Sequence, residues 1–177
     1  MIYILSRSGL LFLGMIILLS TSLWGGCSRN EEQDQFEREA FRTSEGYTKT
    51  NSLGEIVGSE DPGDWRVSPI FEGYVNVHIR AHPNPVVIGD IVRIELELLG
   101  VDFINNLTVK TYTDNNFNFP QELYYYENSS QHGFINMSFD PILLSPSNVA
   151  SEARGLHRVF IFDQNEDLIT YGDIKVE

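Results

Sequence analysis

From Trp65 onward, apolar and polar residues alternate in short runs, which is the pattern of strands with one buried face. The clearest run covers 91–98, where Val92, Ile94, Leu96 and Leu98 alternate with charged residues. Further runs lie at 75–80, 107–112, 123–126, 135–139, 158–163 and 168–176. Gly, Pro, Asn and Asp separate these runs, and no strong long helix interrupts them. The sequence predicts an all-β, antiparallel β-sandwich of about seven strands over 65–177.

The run 159–162 differs from the others because its residues are apolar at both odd and even positions. This pattern predicts a central strand that is covered on each face. The turn-rich residues 164–167 connect it to 168–176, which predicts a closing hairpin. The one helical candidate within the body is 147–154, just before this hairpin.

The first 26 residues have a different composition. Arg7 is their one charge, an apolar block follows over 10–19, and Ser20 to Ser22 end the block. An early positive charge, about 7–15 apolar residues and then small or polar residues are typical of a secretory signal peptide. A spanning helix needs about 20 apolar residues. We therefore expect 1–26 to be a signal peptide, with a signal anchor as the alternative.

Cys27 is the one cysteine of the chain and follows directly after Gly25 and Gly26. An exported protein with an odd cysteine carries either a reactive thiol or a modified one. The arrangement resembles the lipobox of bacterial lipoproteins, although Trp24 stands where that family usually has leucine. The resemblance implies that Cys27 carries palmitate-type acyl chains and anchors an outer-membrane lipoprotein of the bacterial cell envelope, facing the periplasm or the surface. The alternative is an incidental cysteine after an ordinary cleavage site.

Residues 27–64 are polar and acidic, with too few apolar side chains for a core. We expect the lipidated cysteine and an acidic flexible tether there, with a short helix over 33–42 and local docking through Phe36 and Phe41. Glu31 and Glu32 resemble the surface-export signal of lipoproteins in Bacteroidetes-type bacteria. A solvated acidic linker is the alternative.

The body opens with Ala81-His-Pro-Asn-Pro-Val86, followed by Gly89-Asp90 and the strand that ends at Leu98. It resembles a bacterial immunoglobulin-like domain, and this opening is similar to the Pro-Asn-Pro start of small sandwich modules in secreted Bacteroidetes-type proteins. Those modules include the sorting modules of type IX secretion cargo. The resemblance implies an immunoglobulin-like fold for 65–177 and no particular activity, and a lipid anchor would make a second attachment device redundant.

Charge excludes one class of partner. The chain has 25 acidic side chains against 12 Lys and Arg, a formal net charge of −13. Nucleic acid is therefore not expected as a partner, because its phosphates are neutralised by Lys and Arg. Anionic lipid headgroups would repel the body as well, so membrane contact is expected through the lipid anchor alone.

The residues that could carry chemistry are scattered. His78 and His82 are four apart, which on a strand separates them by about 13 Å. Asp163 opens a segment that begins like a calcium loop, but Leu168 and Ile174 stand where that loop needs Gly and Glu. No Gly-x-Ser-x-Gly elbow and no phosphate-binding glycine loop occurs. We expect no catalytic residue, metal or cofactor.

Aromatic side chains are the candidate contacts for a ligand or partner. In a strand, Tyr125 would point opposite to Tyr124 and Tyr126, so at least one ring should be exposed. Exposed rings stack on sugars or anchor proteins, and the alternative is that they cap the sandwich edge. Trp65 is a second candidate contact, and the alternative is that it packs against the body.

These observations predict a non-catalytic cell-envelope lipoprotein that displays a β-sandwich for protein binding, or as a structural subunit of an envelope assembly. One alternative is an accessory surface lipoprotein that binds glycans through the tyrosines. A second alternative is an enzyme whose site residues are dispersed along the sequence.

Overall fold

The computed structural model describes residues 28–100, 104, 106–113, 117–127 and 132–177. Its seven strands are β1 (Val75–His82), β2 (Val92–Leu99), β3 (Leu107–Tyr112), β4 (Pro120–Tyr126), β5 (His132–Phe139), β6 (Gly155–Phe162) and β7 (Leu168–Val176). Its helices are α1 (Ser28–Ala40) and α2 (Ala150–Ala153), and 3-10 turns lie at Pro69–Phe71 and Pro141–Leu144. No helix in the described ranges is long and apolar enough to cross a bilayer.

The strands form two antiparallel sheets. One has the order β1-β2-β5 and the other the order β4-β3-β6-β7. This is the immunoglobulin-like arrangement, with the first, second and fifth strands facing a sheet built on the third, sixth and seventh. The predicted sandwich, its seven strands and the closing hairpin are therefore confirmed.

The core fills the space between the two sheets. Alternate residues of β2 point into it, and Val92, Ile94 and Leu96 are fully buried there. The charged residues between them lie on the opposite face of the same strand. Period-two alternation thus marks the buried face correctly, because successive side chains of a strand point to opposite faces.

A second apolar layer covers the outer face of the four-stranded sheet. β6 lies between β3 and β7, and its Phe160 and Phe162 point away from the main core. Phe36 of α1 packs on this layer, with its ring centroid 5.2 Å from that of Tyr171. β6 is therefore covered on both faces, as its sequence predicts.

The predicted flexible tether is not what the structure shows for 28–64, whereas the local docking expected of Phe36 and Phe41 is present, with both rings on the aromatic side chains of the sheet. α1 is longer than the predicted 33–42 helix and buries Phe36 and Ala40 on the sheet, and Thr48 and Thr50 are buried further along the segment. An isolated helix of this length is marginal in water. The aromatic outer face stabilises it, because docking removes apolar surface of both partners from water. Cys27 and the signal segment 1–26 lie outside the described residues.

Candidate functional site

A buried ion pair connects α1 to the sandwich. Arg158 of β6 lies opposite Asp173 of β7. Its Nε and Nη2 donate to the two carboxylate oxygens of Asp173 at 2.8 and 2.7 Å. Its Nη1 donates to the carbonyl oxygens of Glu39, Ala40 and Arg42 at the end of α1. One side chain therefore neutralises a buried carboxylate and satisfies the last carbonyls of the helix.

A second buried carboxylate, Asp64, lies beside this pair. Its Oδ2 accepts the backbone N–H of Thr48 at 2.7 Å, and its Oδ1 accepts that of Asp173 at 2.9 Å. Burial raises the pKa of Asp64 to about 7, and the negative charge of Asp173 adds to the increase. A carboxyl group with such a pKa is a general-base candidate by chemistry. Here both oxygens of the buried Asp64 carboxyl group accept backbone N–H groups, so Asp64 connects the backbone at Thr48 to that of β7 at Asp173.

The Pro-Asn-Pro motif supplies the third buried polar group. The Nδ2 of Asn84 donates to the carbonyl oxygens of Thr48 and Asp173, and its Oδ1 accepts the N–H of Lys175, each at 2.9 Å. Its backbone also pairs with Thr50 in both directions. Asn84 therefore joins the 43–64 segment to β7, because its side-chain amide binds the backbone of Thr48 in the segment and the backbone of Asp173 and Lys175 in the strand.

No pattern in the sequence indicates this network of Arg158, Asp173, Asp64 and Asn84 as a whole. One signal was available for the ion pair. A regular hairpin with a four-residue turn over 164–167 would place Arg158 opposite Asp173. The same pairing is observed, but it is reached through a register shift between Ile161 and Phe162, so the turn alone does not account for it. Asp64 and Asn84 carry no such signal, since their partners lie far away in the sequence.

The described histidines have separate environments. His78 is exposed, 3.5 Å from a carboxylate oxygen of Glu95. The Nδ1 of His82 is 2.9 Å from the carbonyl oxygen of Arg80. Burial lowers the pKa of His157, whose Nε2 lies 2.8 Å from a backbone carbonyl oxygen. Among the described residues, no three His, Cys, Asp or Glu side chains are grouped so as to hold a metal ion.

The acidic turn between β6 and β7 uses its own oxygen atoms. One carboxylate oxygen of Asp163 accepts the N–H groups of Asn165 and Asp167 at 2.8 and 2.9 Å. The other oxygen accepts the side-chain amide of Asn165 at 3.1 Å. These contacts are those of a hairpin turn closed by an aspartate.

The three tyrosines do not share one surface. Tyr124 and Tyr126 pack against the main core, whereas Tyr125 is 51% exposed on the outer face of the four-stranded sheet. The predicted opposite orientation of Tyr125 is confirmed. Of the three tyrosines, Tyr125 is therefore the one whose ring could contact a ligand or partner at the surface.

Trp65, which the sequence suggested as a candidate contact for a ligand or partner, is not at the surface. It is buried, its backbone N–H donates to the backbone carbonyl oxygen of Tyr171, and its ring lies against Gly172. A Cβ atom at position 172 would be 2.1 Å from the indole ring. Trp65 thus packs against β7 as a core residue, which is the alternative reading of its position.

The outer face of the three-stranded sheet carries exposed apolar side chains. Tyr74, Leu99 and Phe134 are 37%, 43% and 55% exposed, and we call these three residues the open patch. The N–H of Leu99 donates to the carbonyl oxygen of Tyr74, and Phe134 lies opposite Glu97, two residues before Leu99. Diagonal neighbours of this kind are in reach of each other on one face of a sheet. Polar residues surround the open patch: Asn76, His78, Glu95, Glu97 and Asn136.

No protein family and no curated protein matches the sequence. Two solved structures are similar to part of the chain at low TM-scores. T. fusca AA10A is 12% identical, with 52% of this chain and 51% of that chain covered, at a TM-score of 0.36. The beta-D-glucoside glucohydrolase of Trichoderma reesei is 10% identical, with 58% of this chain and 18% of that chain covered, at a TM-score of 0.35. The chain therefore spans about half the length of the first and less than a fifth of the second, and these similarities carry no argument about its function.

Proposed function

We propose that this protein is a non-catalytic lipoprotein of the bacterial cell envelope that binds another protein through the open patch. The carrying observation is the exposure of Tyr74, Leu99 and Phe134 on one face of a sheet. A solvated sheet face is normally polar, and grouped apolar side chains on a surface mark contacts with partners. On the outer face of the other sheet, α1 covers the aromatic layer of Phe160, Phe162 and Tyr171.

The position of α1 supports an anchor on the side away from the open patch. α1 begins at Ser28, directly after Cys27 in the sequence, and packs on the four-stranded sheet. At about 1.5 Å per residue, Ser28 is about 12 Å from Phe36 along the helix. A lipid on Cys27 would therefore hold the sandwich close to the bilayer, with the open patch directed away from α1.

The proposal that the protein is non-catalytic rests on the position of Asp64, the carboxyl group whose pKa burial raises to about 7. Asp64 is buried, and backbone N–H groups occupy both of its oxygens. A general base must instead reach a proton of the substrate. We prefer a protein ligand to a glycan because Tyr124 and Tyr126 pack against the core, which leaves Tyr125 as the single exposed ring of that group.

The anchor is tested by expressing the full chain in a bacterial host and measuring the mass of the mature N-terminus, with palmitate labelling. A diacylated or triacylated Cys27, lost in Cys27→Ser, is the expected result. Two acyl chains suffice for stable anchoring. An unlipidated terminus, or an intact Met1, would overturn the lipoprotein proposal.

The binding surface is tested by placing a photo-crosslinking amino acid at position 134 and exposing intact cells to light. The matched control is position 53, because Leu53 is also an exposed apolar residue, at 72%, and lies outside the open patch. We expect a discrete adduct with another protein from position 134 and none from position 53. Equal labelling from both positions, no labelling from either, or an adduct from position 134 with a second copy of this chain alone would contradict the proposed surface.

A further inference from the structure

The sandwich has four sheet edges, formed by β1, β5, β4 and β7. The free N–H and C=O groups of an edge strand are a template for pairing with another chain. Proteins protect such edges with proline, charges, bulges or a covering segment. The four edges therefore differ in how readily each accepts a further strand.

The edge of β7 is covered by the chain itself. Val67 forms an antiparallel bridge with Thr170, and Val86 forms a parallel bridge with Val176. Both bridges lie on β7, whose other neighbour is β6. A further strand would have to displace these segments.

Irregularity protects β1 and β4. The pairing of β1 with β2 shifts register twice, on either side of Ile79. β4 begins with Pro120, carries Glu122, and shifts register against β3 between Val109 and Lys110. Bulges, charge and proline each oppose continuous pairing.

β5 has none of these protections. Its eight residues, His132–Phe139, pair with β2 in one unbroken register and include no Asp, Glu, Lys, Arg or Pro. Within the described part of the chain, backbone bridges join β5 to β2 and to no other segment. β5 thus presents a long, regular and uncharged edge, which β4 of the facing sheet approaches without backbone pairing among the described residues.

We infer that β5 pairs with β5 of a second copy of this chain, in antiparallel orientation, to form a symmetric dimer with one continuous six-stranded sheet. If Asn136 lies on the two-fold axis, Phe134 faces Ser138 of the other copy, and no like charges are opposed. A two-fold dimer is the commonest closed assembly, and its interface is made of the same residues from both copies.

The acidity of the chain does not prevent this pairing. The nearest acidic side chains on the same face, Glu95 and Glu97, are on β2, one strand inward from the edge. At about 4.8 Å between strands, the two β2 strands of a dimer are about 14 Å apart. This exceeds the Debye length of about 8 Å at physiological salt, so their repulsion is largely screened.

The symmetry also suits two copies on one membrane, a point that rests on the proposed lipid anchor. The two-fold axis of an antiparallel strand pair is perpendicular to the joined sheet. Both four-stranded sheets therefore lie on the same face of the joined six-stranded sheet. Both α1 helices, which cover those sheets, then face the same way. Anchoring in one membrane further raises the effective concentration of one copy near the other.

The test measures the molar mass of the mature protein, as isolated from the host, over a range of concentrations by size exclusion with light scattering. Asn136→Lys places two positive charges across the proposed axis, and we expect at least about tenfold weaker dimerisation. Asn76→Lys is the matched control, because it adds the same charge to the same face at the opposite edge. Its dimerisation should equal that of the unsubstituted protein. A monomer at every concentration, or equal weakening by both lysines, would overturn the inference.

A crosslink tests the register independently of those lysines. In a Cys27→Ser background, Asn136→Cys should form an intermolecular disulfide, because facing Cα atoms of an antiparallel pair are about 4.5–5.5 Å apart, within disulfide range. Asn76→Cys should remain unlinked, and the reverse result would place the contact at another edge. A monomeric protein that still labels a foreign protein from position 134 would overturn the dimer and leave the proposed function standing.

Discussion

The indole ring of Trp65 occupies the space that a side chain on Gly172 would need. A Cβ atom there would lie 2.1 Å from the ring, and the ring is held in the buried core. We expect Gly172→Ala to lower the free energy of unfolding by about 3 kcal/mol, measured in urea. In the control Gly58→Ala, the new Cβ lies 3.2 Å from the flexible end of Lys49, and the expected change is within about 0.5 kcal/mol. Equal losses in the two variants would contradict this packing.

Removing the guanidinium of Arg158 should be costly, since it leaves the buried Asp173 carboxylate unpaired. We expect Arg158→Ala to reduce the free energy of unfolding by about 3 kcal/mol. Arg66→Ala is the matched control, because Arg66 forms an ion pair with Glu39 at 2.6 Å on the surface. Its loss should stay below about 1 kcal/mol. Similar losses in both variants would mean that the Arg158 pair is no stronger than a surface contact.

Asn84 should be as important for the N-terminal segment as for the strand that it contacts. Asn84→Ala removes three hydrogen bonds and leaves the buried carbonyl of Thr48 and N–H of Lys175 without these partners. We expect a loss of about 3 kcal/mol and faster proteolysis within 43–64. In Asn76→Ala, an exposed amide is lost and proteolysis should be unchanged. Intact protection of 43–64 in Asn84→Ala would contradict the joining role.

The stability of the protein should depend on the titration of Asp64. Its pKa rises from 3.8 to about 7 in the folded state, so the folded chain holds a proton that the unfolded chain releases between these values. The stabilisation is fully present below pH 3.8 and is lost as the pH rises to about 7. The slope reaches at most about 1.4 kcal/mol per pH unit. Asp173 and Asp61 raise this pKa through their charge, and N–H groups of Thr48 and Asp173 lower it.

Urea unfolding of the unsubstituted protein and of Asp64→Asn, compared from pH 5 to pH 8, measures this effect. The variant should gain stability relative to the unsubstituted protein as the pH rises. His157 titrates in both proteins, so the difference between them isolates Asp64. Asp90→Asn, on an exposed loop, should show a constant difference across the same range. A constant difference for Asp64→Asn as well would contradict the raised pKa.

Docking of α1 gives a further test. Phe36 is buried against Tyr171 and the aromatic layer of β6. We expect Phe36→Ala to cost about 3–4 kcal/mol of unfolding free energy. In Leu53→Ala, a side chain that is 72% exposed is shortened, and the change should be within about 0.5 kcal/mol. A neutral Phe36→Ala would instead fit the free tether that the sequence predicts.

The strands were predictable because their signal is local. The alternation at Val92, Ile94 and Leu96 indicates which face of β2 is buried. The run 159–162 is apolar at both odd and even positions, which indicates a strand that is buried on both faces. The hairpin itself was predictable too, but the pairing of Arg158 with Asp173 also depends on a register shift between Ile161 and Phe162 that the turn does not predict. A strand period of two and a short turn are properties of neighbouring residues.

The candidate site depended on contacts between distant parts of the chain. The composition of 28–64 predicts a solvated linker, yet Arg158 binds carbonyls at the end of α1 and just after it, 116 to 119 positions away. Asp64 and the N–H that it accepts from Asp173 are 109 positions apart. No local pattern in an acidic segment reports such partners.

By itself, then, the sequence determined the alternating strands, the antiparallel sandwich and the opposed directions of Tyr124 and Tyr125, because each follows from neighbouring residues. The tertiary structure alone decided that 28–64 docks beyond the predicted contact of Phe36, that Trp65 is buried and not a surface contact, and that β5 has no backbone partner on its outer side among the described residues. Docking and burial are set by which surfaces meet after folding, and the free energy of those contacts depends on residues that the chain brings together from more than 100 positions apart.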